Sequence, residues 1–129
     1  MIAQQILWIE TLLKLGAGLP LLLAPTGLLR ALGLPPAASA FWPRLLAVTL
    51  VGMGAAAFIE GARPGVGGLG LVGCATVNAS AAGALAAQIA LSGDAASRRG
   101  RVTLWTLAVI LGLLAALEII VAGISDPGR

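Results

Sequence analysis

The run VTLWTLAVILGLLAALEIIVAGI, residues 102–124, decides the fold class. A helix needs roughly 20 apolar residues to cross the hydrocarbon core of a bilayer, and this run has that length. It holds a single ionisable residue, Glu118. A carboxylate near the middle of a spanning helix costs about 2.5–3.5 kcal/mol on insertion scales, and such groups face a partner, a cavity or water. The question the sequence poses is what Glu118 faces.

Working outward, the whole chain has the same character. Of its 129 residues, 59% are hydrophobic and 10% charged, and the mean hydropathy is +1.02. Soluble domains carry about 25% charged and roughly 45–50% apolar residues, so the composition is that of an integral membrane protein. The formal charge of +3 is not a nucleic-acid signature, because the few arginines sit between apolar runs and form no basic face. Cys74 is the one cysteine and histidine is absent. No internal disulfide and no Cys/His metal set is therefore expected, and no cofactor motif stands out. The first apolar run has no basic leader and contains Glu10 and Lys14, which reads as a retained span and not as a cleavable signal.

Four spans are expected, at about 2–23, 44–60, 66–91 and 102–124, with an interfacial loop over 24–43. In the first, Pro20 is expected to bend or end the helix. Glu10 and Lys14 lie i, i+4 with the acid first, the favourable order for a helical ion pair. The loop, APTGLLRALGLPPAASAFWP, is broken by proline and glycine, and its leucines beside Arg30 suggest a short amphipathic turn at the interface. In the second span Gly52, Ala56 and Glu60 repeat every four residues. Small residues at that spacing admit a neighbouring helix closely. The GARPG turn is short, so spans two and three are expected to pack as antiparallel neighbours. The third span is rich in glycine and alanine, with Ala75, Ala79 and Gly83 on one ridge and Asn78 on the next. Its small side chains suit a central packing helix, and an amide at its middle requires a hydrogen-bond partner.

Four spans put both termini on one side. Arg30, Arg44, Arg98, Arg99 and Arg101 fall on the loop side, and Arg63 and Arg129 on the terminal side. Because basic residues favour the cytoplasm, the termini are expected to face outward, with the chain in a bacterial inner membrane. At about 1.5 Å of rise per residue, Glu10 and Glu118 then reach a similar depth in the outer half. Glu60 lies nearer the surface, and Lys14 and Asn78 lie beneath.

These five residues, Glu10, Lys14, Glu60, Asn78 and Glu118, are the candidate ligand-binding set. The expected fold is an all-α integral membrane four-helix bundle. Its expected function is to bind or transport a small lipophilic or cationic molecule, with a homodimer as one way to complete a pathway. Two alternatives stay open at this level. One is an intramembrane isomerase, cyclase or hydrolase with Glu10 and Glu118 as acid and base. The other is an accessory subunit of a membrane redox complex, which requires no chemistry from the acids. A bland arrangement also satisfies the sequence: Glu10 pairs with Lys14 while Glu60 and Glu118 meet interfacial water.

The stretch from Leu19 through Ala87, with LAPTGLLRALGLPP, then FWPRLLAVTLVGMGAAAF, then a glycine-rich helix, resembles the small four-helix membrane proteins of the DoxX-like group. The resemblance implies a compact four-helix bundle and, for some members, association with membrane redox or quinone systems. It carries no catalytic residue onto this chain.

Overall fold

A computed structural model describes residues 2–65, 67–91 and 97–125. The helices are α1 (Ile2–Leu23), α2 (Pro25–Ala31), α3 (Phe41–Ala62), α4 (Leu71–Leu91) and α5 (Arg98–Ser125). All but α2 are long and apolar enough to cross a membrane. Twenty-two residues of helix, the length of α1 and α3, rise about 33 Å, which matches a core of roughly 30 Å. Leucines, isoleucines and tryptophans such as Trp42, Leu46, Leu113 and Ile119 are exposed along the outer faces. This is the surface a bilayer requires. Val66, residues 92–96 and Arg129, on which parts of the span and orientation readings fall, lie outside the described residues.

Pro20 neither ends nor interrupts α1. The helix continues to Leu23, and the amide of Ala24 still donates to the carbonyl of Pro20 at 2.9 Å. The break comes at Ala24, whose extended φ of −135° lets Pro25 open α2. Proline suits a first helical turn because its missing donor would be unpaired there anyway. The segment between the first two long helices thus contains a true short helix.

Packing differs from the expected order of neighbours. The helix α3 packs chiefly on α1, and α4 chiefly on α5. The α1–α3 seam is antiparallel and built on glycine. A Cβ at Gly18 would lie 3.0–3.1 Å from Val51, Leu50 and the Ala47 carbonyl, one at Gly54 would lie 3.0 Å from Leu15, and one at Gly61 would lie 3.4 Å from Leu7. Ala47 and Ala57 are fully buried, and Trp8 meets Phe58 edge-on at 5.3 Å. Across the other seam, Ala82 faces Gly112.

The GARPG turn does not make α3 and α4 close neighbours, because the chain first folds back on α3. Here Glu60 is decisive. Its two carboxylate oxygens accept the amides of Gly65 at 2.9 Å and Gly68 at 3.0 Å, and the Leu69 amide donates to the Ala56 carbonyl at 3.1 Å. The repeat Gly52, Ala56, Glu60 therefore receives this loop at its Ala56 and Glu60 end. Gly68 sits so close that a Cβ would be 2.5 Å from the Ala56 carbonyl and 2.6 Å from the Glu60 nitrogen. Gly68→Ala is expected to cost about 1–3 kcal/mol, the range for overpacking a tight site. Unfolding of the purified protein in an SDS titration, followed by circular dichroism, measures it. Wild-type stability in that variant would mean the loop is not pinned on α3.

The central helix is α1 and not α4. In α1, 39% of the most apolar window is buried, against 17% in α4. The small side chains of α4 cover little surface. They leave a groove of about 650 Å³ between α4 and α5, lined by Val72, Ala75, Thr76, Ala79, Ile119 and Gly123 among others.

The contacts also fix how the ends lie. Ile6 near the start of α1 clusters with Val121 near the end of α5, and Gln4 donates to the Gly61 carbonyl at the end of α3 at 2.9 Å. At the other end, Thr103 donates to the Leu32 carbonyl at 3.1 Å and Ser97 to the Gly33 carbonyl at 2.9 Å. Gly33 adopts φ +70° against Ser97 and Arg99, a left-handed conformation that glycine takes without strain. The N-terminal end of α1 and the C-terminal end of α5 thus share one end of the bundle.

Candidate functional site

The largest fully buried side chains among the described residues are Glu10, Glu118, Asn78 and Cys74. Three of these four are polar or charged, which inverts the usual core, and they meet at one place. Glu10 comes from α1, Asn78 from α4 and Glu118 from α5.

Asn78 is the hub. Its amide nitrogen donates to Glu10 Oε1 at 2.8 Å and to Glu118 Oε2 at 3.0 Å. Its Oδ1 accepts from Lys14 Nζ at 3.4 Å. Both N–H groups and the carbonyl of one amide are thereby occupied. Lys14 also pairs with Glu10 across one turn of α1, as the i, i+4 spacing predicts. The same face carries Thr11, buried, whose hydroxyl donates to the Leu7 carbonyl at 2.8 Å and so satisfies itself within the helix.

Glu118 is the unbalanced member. It is 0% exposed, and its Oε1 has no hydrogen-bond partner among the described residues. A buried acceptor without a partner costs about 1–3 kcal/mol, more if charged. Formal charges make the same point. Lys14 offsets one of two carboxylates, so one further positive charge, a proton or a cation, closes the balance.

Four of the five residues singled out from sequence are brought together: Glu10, Lys14, Asn78 and Glu118. Glu60 is not with them. Its carboxylate is committed to the turn after α3, and it lines a second recess of about 620 Å³ together with Gln4, Leu7, Leu71 and Gly73. Leu7 lies one turn from Glu10, and Gly73 adjoins Cys74, so the recess approaches the cluster from the terminal end.

Cys74 reads from the sequence as a small buried thiol, and its place beside the acids was not foreseen. It is fully buried, and its thiol makes only a weak contact with the Leu69 carbonyl at 3.7 Å. One donor atom from each of Glu10, Cys74 and Glu118 can be chosen so that all three lie within 4.8 Å of one another. The signal was available in the spacing. Cys74 precedes Asn78 by four residues and so shares its helix face. A lone cysteine simply carried no weight without knowledge of what that face meets.

No family model matches this chain, and neither does any curated protein or solved structure. The residues and their geometry carry the functional argument alone.

Proposed function

We propose that this small four-helix membrane protein binds or transports a small cationic species, protons included, at the cluster of Glu10, Lys14, Asn78 and Glu118. The observation that carries the reading is the fully buried Glu118, held on one oxygen by Asn78 and unpartnered on the other. Taking up one positive charge removes both the orphan acceptor and the uncompensated charge, each costly in a low-dielectric interior. Ionisable groups inside spans mark ion pathways and proton relays for this reason.

The placement of the acids favours a small ion over a bulky lipophilic substrate. Neither groove described above is lined by Glu10 or Glu118, whereas an acid–base pair acting on such a substrate requires both carboxyls at the cavity wall. The five arginines near α2, the start of α3 and the start of α5 are consistent with that end facing the cytoplasm of a bacterial inner membrane. The recess beside Glu60 then opens outward and offers access. Membership in the DoxX-like group is part of the same proposal, resting on the texture of residues 19–87.

The test uses the full chain in proteoliposomes carrying a trapped pH indicator, with infrared difference spectroscopy on the same samples. Cation gradients or pH jumps are expected to produce proton movement and a carboxyl protonation band in the wild type. Glu118→Gln, which keeps shape and removes the charge, is expected to abolish both. Proton movement and bands unchanged in Glu118→Gln would sink the reading.

A further inference from the structure

The cluster contains a donor that the preceding proposal does not use, the Cys74 thiol. Donor atoms on a tetrahedral ion lie about 3.5 Å apart, given metal–sulfur bonds near 2.3 Å and metal–oxygen bonds of about 2.0–2.2 Å. The donors of Glu10, Cys74 and Glu118 already lie within 4.8 Å of one another. They come from α1, α4 and α5, so side-chain rotations of about 1 Å at each atom would bring them onto one ion. Independently of that grouping, Glu118 Oε1 is buried and unpartnered.

We infer that Glu10, Cys74 and Glu118 form a binding site for a divalent transition metal of the zinc class. This rests on the proposed cation-binding role of the cluster and names its ligand. The donor set selects the metal. Calcium takes six to eight oxygen ligands and magnesium demands near-octahedral oxygen coordination, and the cluster offers too few oxygens for either. A thiolate beside two carboxylates suits borderline-soft ions such as Zn²⁺ or Co²⁺.

Charge closes as well. A Cys74 thiolate, two carboxylates and the Lys14 ammonium sum to a formal −2, which a divalent ion cancels. Charge neutrality without the ion requires two protons, one on the thiol and one on a carboxyl. Binding therefore exchanges one divalent ion for two protons: three metal–ligand bonds form, two in place of the S–H and O–H bonds and one to the carboxylate already ionised, a water brought by the ion fills the fourth tetrahedral position, and both protons leave to solvent. No electron moves. The groups facing Glu118 are Glu10 and Lys14 from α1 and Cys74 and Asn78 from α4, while α3 contributes Ala57 beside Cys74. Lys14 stays on Glu10 and Asn78 as the fixed counter-charge.

Titrating Co²⁺ into the detergent-purified full chain, with any histidine tag removed, tests this. One ion per chain is expected, with tetrahedral ligand-field bands, a sulfur-to-cobalt charge-transfer band, and release of two protons per ion in unbuffered solution. Zn²⁺ is expected to displace the colour. Cys74→Ser is expected to lose the charge-transfer band. Glu118→Gln is expected to weaken binding by more than the roughly 10–100-fold typical of losing an outer-shell group. Circular dichroism and size exclusion verify that both variants fold, and Cys74→Ser, a near-isosteric change, keeps the test decisive if Glu118→Gln does not. Binding without the thiolate band, or binding unaffected by either variant, overturns the assignment. Absence of Co²⁺ and Zn²⁺ binding in a protein that keeps its Glu118-dependent proton signal overturns the metal site alone. Loss of both signals takes the cation-binding reading with it.

Discussion

Lys14→Met is expected to be among the most destabilising single substitutions in this chain, by about 3–5 kcal/mol, the range for removing one partner of a buried ion pair. Methionine fills much the same volume, so packing contributes little to that figure. The loss arises because Glu10 and Glu118, both 0% exposed, then share one amide with no cation nearby. The paired variant Lys14→Met/Glu10→Gln is the informative comparison. It removes the charge of Glu10 together with its partner, and replacement of a whole buried pair is often close to neutral. Most of the stability is therefore expected to return. SDS-titration unfolding of the wild type, both singles and the double gives the coupling energy directly. Equal destabilisation in Lys14→Met and in the double would mean that the lysine acts by packing and not by charge.

The second large effect is expected at Asn78. Its amide joins α4 to both α1 and α5, where the α1–α3 and α4–α5 pairs otherwise touch lightly. Single interhelical hydrogen bonds in membrane proteins average about 0.6 kcal/mol and reach about 1.7. Asn78 makes three, all to ionisable groups, and Asn78→Leu strands each of them. A loss of about 3 kcal/mol is expected, with the two helix pairs separating before either unravels. Limited proteolysis of the turn after α3, run beside the SDS titration, distinguishes that order. Wild-type stability in Asn78→Leu would show that apolar packing around Ile6, Leu114 and Val121, and not the polar hub, joins the halves. Asn78→Asp provides the contrast, since it keeps the shape and adds a third acid to a cluster with one lysine.

The two seams explain why neighbour relations were harder to read than helices. Short turns bring consecutive helices together by default, and on that rule α3 should lie against α4. Gly18, Gly54 and Gly61 instead let α1 close on α3, and the loop after α3 is tied down by Glu60. Each of those glycines is visible in the sequence, but a small residue states only that something can approach. It does not state what. The same limit applied to α4, whose alanines and glycines suggested a central helix and which instead borders an open groove.

Glu60 and Cys74 both show what counting residues along one helix leaves open. Glu60 was grouped with the other acids by depth, yet two glycine amides eight residues or fewer away along the chain hold its carboxylate. Cys74 reads from the sequence as a small buried thiol and is one, yet only packing shows that its helix face turns toward Glu10 and Glu118. Depth along an axis follows from counting residues at a fixed rise. The angle around the axis, which decides what a side chain meets, follows from how neighbouring helices pack.

By itself the sequence determined the all-α class, the four apolar helices, the i, i+4 pairing of Glu10 with Lys14 and the common depth of Glu10 and Glu118. Each of these depends on hydrophobic length or helical period, which are local properties. Tertiary structure alone decided that Asn78 bridges the two acids, that Cys74 joins them, that Glu60 does not, and that α1 is the central helix. Those outcomes depend on which faces meet, and in an apolar chain many faces are equally greasy. The few polar groups that cannot face lipid select among them, and Glu118 is the one they leave with an oxygen still to satisfy.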